Sequence, residues 1–445
     1  MRAAGNNAIM TFGWKDMFNV VEKAKGKRVI LHCDLNNFFA SVAMKQDPSL
    51  RGRCVAVCGN PALRKGIVLA KSEAAKKMGV KTGMAIWQAR QVCPDLVVVG
   101  TDYAAYTRYS KQVQAIYYRF TSQVESFGID ECWLDVTGSQ KLFGDGVAIA
   151  DQIRQAVKAE AGLTISVGVA DNKTYAKLGS DLAAPDAVVA ITPDNYQRLI
   201  YPLPLGNMLF VGKKTQALLQ KLNVRTIGEL ANYDVATLKT FIGVNAEKLV
   251  AAARGEDYSP VADFMDHEPP KSVGNGTTLP YDLTTRQAVG QVLYLLSEKV
   301  AFRLRQAGYQ GYTITLSVKG TDLLWTGAQQ SLVTPTNTVP TITNTALSIF
   351  DQIWGGGQKD VTPVRALRVA VSHLTEHAPT QVGLFADDNA EIKNQALADV
   401  FDRVRSKYGT EQIMFGGTAA TYRGLGFKLD FYECDAIHDD GLIPE

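Results

Sequence analysis

Two adjacent acids, Asp130 and Glu131 in FGIDECWLDVTG, limit how this chain can fold more than any other feature. Apolar residues on both sides of Gly128 predict a strand, a turn and a second strand. Carboxylates at the end of a half-buried strand cost free energy unless their charge is neutralised. Adjacent strand residues face opposite sides, so the two acids share a site only if a turn or bulge re-aims one of them. Gly128 permits such a turn, and a solvated acidic turn is the alternative.

A third acid stands at the end of another predicted strand. RVILHC, residues 28–33, reads as a buried strand, and Asp34 follows it. If this strand lies beside the hairpin, three carboxylates converge, and close like charges require a counter-cation. Such oxygen-rich sites suit Mg²⁺. Two Mg²⁺ ions, with Mn²⁺ able to substitute, can activate a hydroxyl and stabilise a leaving phosphate oxygen.

The composition predicts a folded protein of several domains. The chain has 445 residues, 46% of them hydrophobic and 20% charged, which is long for one core and too apolar for disorder. No apolar run approaches the ~20 residues of a membrane helix, and the N-terminus lacks the apolar core of a secretion signal. The six cysteines lack the spacing of a zinc site. We therefore expect a cytoplasmic protein with reduced thiols and no membrane partner.

The charge is distributed unevenly along the chain. Residues 387–445 carry 12 Asp or Glu and 6 Lys or Arg, whereas residues 1–386 carry 41 Lys or Arg and 32 Asp or Glu. A basic body with an acidic extension is typical of polyanion-binding proteins, although the charge alone favours a solvated surface without a partner. Lys173, in GVADNKTYAKLGSD, opens a helix predicted to be capped by Asp171 or Asn172, where it can hold phosphate.

The middle of the chain predicts a helix-hairpin-helix. Residues 209–222, LFVGKKTQALLQKL, read as a helix end, a Val-Gly turn and a helix, and residues 241–254, FIGVNAEKLVAAAR, are a second copy. The turn at Gly212, with Lys213 and Lys214, would face a DNA phosphate backbone without reading its sequence. An ordinary helical hairpin is the alternative for one copy, and two copies favour DNA.

The C-terminal part predicts a small α+β domain. Residues 255–272, with three prolines and several acids, read as a linker. GYTITLSVKG (311–320) and VRALRVAVSHL (364–374) predict strands, and residues 284–307 predict a long helix. The acidic extension holds one predicted helix near residues 390–407.

Three segments, ILHCDLNNFFASV, ESFGIDECWLDVTG and SVGVADNKTYAKLGSDLAAPDA, in this order and spacing, resemble the motifs of the Y-family, or translesion, DNA polymerases. The resemblance is greatest to the bacterial DNA polymerase IV branch and runs from about Arg28 to Phe385. It implies an α+β multidomain fold arranged as a right hand. The implied parts are a palm at 28–37 and 100–185, small fingers at 38–99, a helix-hairpin-helix thumb at 186–258, a linker at 259–269, an α+β little finger at 270–386 and the acidic extension at 387–445.

The resemblance also assigns the site. Asp34, Asp130 and Glu131 match the catalytic, metal-binding carboxylates of the palm, and the backbone carbonyl of Leu35 would complete one metal site. Phe39 matches the steric gate, whose ring stacks under the incoming sugar and excludes a 2′-hydroxyl. A core aromatic is the alternative for this position, and it fits the neighbouring Phe38 better than Phe39.

Two lysines match positions that bind the triphosphate of the incoming dNTP. Lys173 matches a triphosphate-binding lysine, and Lys76 stands where an arginine often has that role. The chain departs from the family at Glu73, where many members have a tyrosine that contacts the triphosphate. An acid there would repel phosphate, so we expect Glu73 to point elsewhere.

QVGLF, residues 381–385, resembles the pentapeptide by which these polymerases bind the sliding clamp. Gln381 would form hydrogen bonds, and Leu384 and Phe385 would fill an apolar pocket. A final strand of the little finger is the alternative for this segment.

The implied activity is template-directed, low-fidelity extension of primers with dNTPs in translesion synthesis and DNA damage tolerance. We expect a monomer whose partners are primer-template DNA, dNTP and the clamp. Two alternatives remain open. A nucleotidyl cyclase also uses two metals on a palm-like sheet but needs neither helix-hairpin-helix nor little finger, and a non-catalytic clamp-associated DNA-binding protein usually loses the acids that are present here.

Overall fold

The structure is a computed structural model that describes residues 28–64, 66–263, 269–355, 360–376, 388–409 and 413. The chain divides into two compact units, residues 1–52 with 104–267 and residues 53–103 with 268–445.

The strands are β1 Ile30–Leu35, β2 Val55–Cys58, β3 Val68–Lys71, β4 Val97–Val99, β5 Val124–Ser126, β6 Glu131–Asp135, β7 Ile165–Ala170, β8 Val188–Ala190, β9 Ser272–Thr285, β10 Gln310–Gly320, β11 Trp325–Thr336 and β12 Asp360–Thr375. The helices are α1 Phe38–Gln46, α2 Glu73–Lys77, α3 Ile86–Val92, α4 Tyr103–Tyr117, α5 Gln140–Phe143, α6 Gly146–Ala156, α7 Lys173–Leu182, α8 Tyr196–Leu199, α9 Lys213–Lys221, α10 Ile227–Ala231, α11 Val235–Ile242, α12 Asn245–Arg254, α13 Arg286–Gln306, α14 Val339–Phe350 and α15 Asp388–Tyr408.

A five-stranded sheet forms the centre of the first unit, in the order β5-β6-β1-β7-β8. Strand β1 runs antiparallel to both β6 and β7, so the strand that carries Asp34 is a direct neighbour of the strand that carries Glu131. All six residues of β7 are buried, because helices α6 and α7 pack against this strand. The predicted strand and hairpin are therefore confirmed, and Asp34 lies within β1 rather than after it.

Helices α9–α12 complete the first unit. Leu219, Ile227, Leu238 and Leu249 share one apolar cluster with Trp133 of the sheet. The second predicted hairpin is present as α11, a turn with Gly243 at φ 65°, and α12.

The first predicted hairpin differs from expectation. The Val-Gly turn before α9 follows a 3-10 turn, Leu205–Asn207, rather than an α-helix. Pro202 and Pro204 stand in this segment, and proline restricts its own backbone and that of the preceding residue. The prediction of a regular helix before this turn was therefore wrong.

The second unit contains two sheets. The smaller has the order β3-β2-β4 and a core of short side chains that includes Ala56, Val68, Ala75 and Ala89. The larger has the order β11-β10-β12-β9 and packs against α13 and α14. Strands β10 and β12 and helix α13 confirm the predicted α+β domain. Strands β9 and β11 were not predicted, because SVGNGTT and GAQQS lack an apolar alternation.

The predicted helix of the acidic extension is present as α15, and it docks on α13 of the same unit. The Arg405 guanidinium lies 2.5 Å from Glu298 Oε1, with both side chains almost fully buried. Arg305 donates two hydrogen bonds to the Asp402 carboxylate, at 2.6 Å from Nε and 2.9 Å from Nη2. Two buried or half-buried ion pairs therefore fix this helix to α13, which packs on the larger sheet of the second unit.

Cys33, Cys54, Cys58, Cys93 and Cys132 are free cysteines, and Cys434 lies outside the described residues. Within the described part of the chain, no helix is both long and apolar enough to cross a membrane.

Candidate active site

Strand pairing brings the three predicted acids to one edge of the first unit's sheet. Asp34 stands directly opposite Glu131 in the antiparallel register of β1 and β6. Asp130 lies in the turn before β6, and its carbonyl accepts a hydrogen bond of 3.0 Å from the Leu35 N–H. Gly128 has φ 93°, a left-handed conformation that glycine adopts without strain. The Asp130 carboxyl is close enough to interact electrostatically with both Glu131 and Asp34.

A lysine that the sequence did not single out lies among these acids. Lys177 Nζ is 3.0 Å from Glu131 Oε1, 3.5 Å from Asp34 Oδ2 and 3.0 Å from Asp181 Oδ1. Its side chain is only 10% exposed. One signal could have found it: Lys177 is four residues after Lys173, and residues four apart share a helix face.

Two glycines allow helix α7 to approach the sheet closely enough for these contacts. A Cβ at Gly168 of β7 would lie 1.9 Å from the Ala176 carbonyl oxygen and 2.4 Å from the Ser180 nitrogen. A Cβ at Gly179 would lie 3.0 Å from the Gly168 Cα. Real Cβ atoms do not approach backbone this closely, so the spacing of helix and strand depends on glycine.

A buried histidine supports the other side of Glu131. His32 Nδ1 is 2.7 Å from Ser180 Oγ, and the Ser180 hydroxyl donates to the Lys177 carbonyl at 2.8 Å. Because the hydroxyl proton is used there, the His32 Nδ1–H must donate to Ser180. His32 Nε2 lies 3.3 Å from Glu131 Oε2, and neither atom makes a hydrogen bond. Burial lowers the pKa of His32, with Glu131 acting in the opposite direction.

The electrostatics of the acids show a site that favours positive charge. Burial, followed by the charge of Glu131, raises the pKa of Asp34 to about 7. Burial and the same neighbour raise the pKa of Asp130. Burial would also raise the pKa of Glu131, but contacts with His32 and Lys177 outweigh it and lower that pKa. Carboxylates in this state need a cation to be fully ionised together.

The donor chemistry fits a hard divalent cation. Asp34, Asp130 and Glu131 offer only oxygen atoms, and Glu131 Oε2 is buried without a hydrogen-bond partner. In the described ranges, no group of three or more His, Cys, Asp or Glu side chains is close enough together to hold a metal as it stands. The Lys177 ammonium contacts both Asp34 and Glu131. It therefore occupies the position between these two acids that a metal ion would take.

The predicted steric gate faces another aromatic ring. The Phe39 ring stacks on that of Tyr106, with centroids 4.0 Å apart and planes 7° apart. Tyr106 is buried. Phe38 is 3% exposed and belongs to the core, whereas Phe39 is half-buried. Leu35 is buried and pairs with Ile165 of β7.

Lys173 opens helix α7, where Asn172 caps the helix by accepting from the Tyr175 N–H at 2.8 Å. Its Nζ lies 2.5 Å from Glu125 Oε1 and 4.7 Å from the centre of the Trp133 ring. The side chain that contacts Asp34 and Glu131 is therefore Lys177, one helical turn later, rather than Lys173.

The other predicted residues lie elsewhere. Lys76 is on α2 of the second unit, 3.6 Å from Glu73, so the acid that departs from the family pattern pairs with a lysine of its own helix. Gly212 is the N-cap of α9 and is exposed together with Lys213 and Lys214. The clamp-motif residues Gln381, Leu384 and Phe385 lie outside the described residues.

Comparisons with known proteins agree on one family. Residues 33–181 match the model of the impB/mucB/samB family, and residues 270–384 match that of its C-terminal domain. "DNA polymerase IV" of Acetivibrio thermocellus is 45% identical over 391 residues, covering 88% of this chain and 97% of the relative. "DNA polymerase IV 2" of Bacillus subtilis is 35% identical over 410 residues, covering 90% and 97%.

A solved structure has the same fold. The Y-family DNA polymerase chimera Dbh-Dpo4(243-245)-Dbh aligns with a TM-score of 0.67 at 23% identity, covering 78% of this chain and all of the other. The α+β multidomain fold is thus that of this polymerase class. The fold and the sequence identity to the two relatives over most of their length lead to the same conclusion. The chain belongs to the DNA polymerase IV branch of the Y-family DNA polymerases.

Proposed function

We propose that this chain is a template-directed DNA polymerase of low fidelity, which extends primers with dNTPs in translesion synthesis and DNA damage tolerance. The observation that supports the proposal is the pairing of Asp34 with Glu131 across β1 and β6, where both contact the Lys177 cation and Asp130 interacts electrostatically with both acids. The family membership does not favour a nucleotidyl cyclase or a non-catalytic clamp-associated protein. A cyclase has no use for a C-terminal family domain, and a non-catalytic protein has no need of the three acids.

Asp34, Asp130, Glu131 and the Leu35 carbonyl would hold two Mg²⁺ ions, or Mn²⁺ in their place. When bound, such ions promote attack by the primer 3′-hydroxyl on the dNTP α-phosphate and neutralise the departing pyrophosphate. The chain's own contribution is positioning. Phe39, held flat by Tyr106, would lie under the sugar of the incoming nucleotide and exclude a 2′-hydroxyl.

The remaining predicted residues would hold substrate and partners. Lys173 and Lys76 would bind the triphosphate. Gly212, with Lys213 and Lys214, would bind the DNA backbone, since exposed lysines beside a helix N-terminus attract phosphate.

The domain roles follow the same proposal, with a palm, fingers at 38–99, a thumb at 186–258 and a little finger at 270–386. Fingers this small press weakly on the nascent base pair, which supports tolerance of damaged templates. Residues 381–385 would bind the sliding clamp and raise processivity. We expect a cytoplasmic monomer.

The test is primer extension with Mg²⁺ and four dNTPs, comparing wild type, Asp130→Ala and Asp194→Ala. Asp194 is an exposed acid of the same unit and serves as the matched control. Wild type and Asp194→Ala should extend the primer, whereas Asp130→Ala should bind the DNA without extending it. DNA binding without extension by wild type would favour the non-catalytic alternative. Nucleotide turnover without DNA would favour the cyclase.

A further inference from the structure

We propose that Lys177 is a built-in counter-ion that sets the divalent-metal affinity of the candidate active site. Its ammonium neutralises Asp34 and Glu131 when no metal is bound, and it moves toward Asp181 when a metal enters. This inference rests on the proposed function, because it takes Asp34 and Glu131 as the metal-binding acids.

The contacts of Lys177 place one ammonium among three carboxylates. It lies 3.0 Å from Glu131, 3.0 Å from Asp181 and 3.5 Å from Asp34. Its stem belongs to a buried stretch of α7 that Gly168 holds against the sheet. The cation is thus fixed beside the acids by the fold and does not reach them from a mobile surface position.

The same ammonium is an obstacle to a metal ion. A divalent cation bound to Asp34 and Glu131 would stand within a few ångströms of Nζ, where repulsion between cations is strong because the site is largely screened from water. The lysine therefore competes with the metal for the same two carboxylates. Its net effect is to lower metal affinity while it stabilises the metal-free site.

Asp181 offers the lysine a second position. It is four residues after Lys177 on α7, and it is 34% exposed, compared with 27% for Asp34 and 20% for Glu131. Because Nζ already contacts Asp181, a small rotation of the side chain would leave this pair intact and free the other two acids. No movement of the backbone is needed.

The experiment measures Mn²⁺ binding to the full chain without DNA or nucleotide, from the electron paramagnetic resonance signal of free Mn²⁺. Lys177→Met removes the charge and keeps the shape of the stem. We expect it to bind Mn²⁺ about tenfold more tightly than wild type, since one repelling charge is gone. Lys177→Gln is the second variant in case the first does not fold, and it should also bind more tightly.

The matched control is Lys158→Met. It removes the same charge from the same unit, but its ammonium pairs with Asp186 and not with Asp34 or Glu131. We expect its Mn²⁺ affinity to stay within about twofold of wild type. A merely structural role of a helix lysine would give the same result for both substitutions.

Asp181→Asn tests the second position. Without that acid the lysine stays on Asp34 and Glu131, so Mn²⁺ should bind more weakly than to wild type. If Asp181 acts through the lysine, adding Asp181→Asn to Lys177→Met should have little further effect. If Asp181→Asn weakens Mn²⁺ binding as much in the Lys177→Met background as in wild type, Asp181 acts on the metal directly. That result would overturn the proposed movement.

The possible failures are distinguishable. If Asp34→Asn leaves Mn²⁺ binding of wild type unchanged, the assumed metal site is wrong, and the inference fails with the proposed function. If Mn²⁺ binding depends on Asp34 but is equal or weaker in folded Lys177→Met and Lys177→Gln, only the role of Lys177 is wrong.

Discussion

Replacing Gly168 by alanine tests how the fold positions the site. The new Cβ would lie 1.9 Å from the Ala176 carbonyl oxygen and 2.4 Å from the Ser180 nitrogen. Both are backbone atoms of α7, so no side-chain rotation relieves the clash. To reach a contact of about 3.5 Å the helix must retreat by roughly 1.5 Å. We expect a cost of about 3 kcal/mol, the upper end for an overpacked core.

The retreat would also displace Lys173, which begins the same helix and is proposed to bind the triphosphate of the incoming dNTP. A displacement of about 1 Å at a catalytic site can lower the rate about a hundredfold. We therefore expect kcat for primer extension to fall by about that factor.

The stability assay is thermal and urea unfolding of the full chain. A loss of about 3 kcal/mol corresponds to a fall in Tm of roughly 6–12 °C for a unit of this size. Gly138→Ala is the matched control, because a Cβ there would meet no atom within 4 Å. A Tm of Gly168→Ala equal to that of Gly138→Ala would refute the argument that close approach requires glycine.

Three further predictions concern other parts of the chain. Arg405→Met leaves a buried carboxylate of α13 without its counter-ion, and should lower the free energy of unfolding by about 3–5 kcal/mol in urea titration; an unchanged midpoint would contradict this. Phe39→Ala should weaken discrimination against ribonucleotides by roughly 10–200-fold in single-nucleotide insertion kinetics, because the excluding ring is gone, and unchanged discrimination would mean that another side chain is the gate. Burial would raise the pKa of Asp186, but hydrogen bonds from Lys158 and Arg154 outweigh it and lower that pKa. The ionised Asp186 therefore stabilises the fold above its unfolded pKa of about 3.9, and this stabilisation is lost as the pH falls through the folded pKa. In urea unfolding, wild type should be more stable than Asp186→Asn at neutral pH, and the difference should vanish in acid.

The sequence by itself determined the type of chemistry. Regular periodicity and turn residues predicted β1, the β5–β6 hairpin, β10, β12 and α13, because these segments carry their apolar pattern locally. Three motifs, two of which carry Asp34, Asp130 and Glu131, predicted the family, which the comparisons confirm. The roles assigned to these residues stay predictions.

The sequence did not predict the strands whose pattern is set by their neighbours. β9 and β11 are polar or glycine-rich, and they become strands because β12 and β10 offer unpaired backbone groups along their edges. The 3-10 turn before α9 was missed for a related reason, since prolines override the helical periodicity that follows them.

Only the tertiary structure decided how the charges meet. Asp34 meets Glu131 because of the register of β1 with β6, and the electrostatic interaction of Asp130 with both acids follows from the same pairing. The helical spacing from Lys173 is the one local signal for Lys177, and it says nothing of the contact with Glu131, which joins residues 46 positions apart. Charged side chains interact when they are close in space. Here their distances follow from strand pairing and from the close approach of α7 to the sheet, and no single segment of the sequence encodes either.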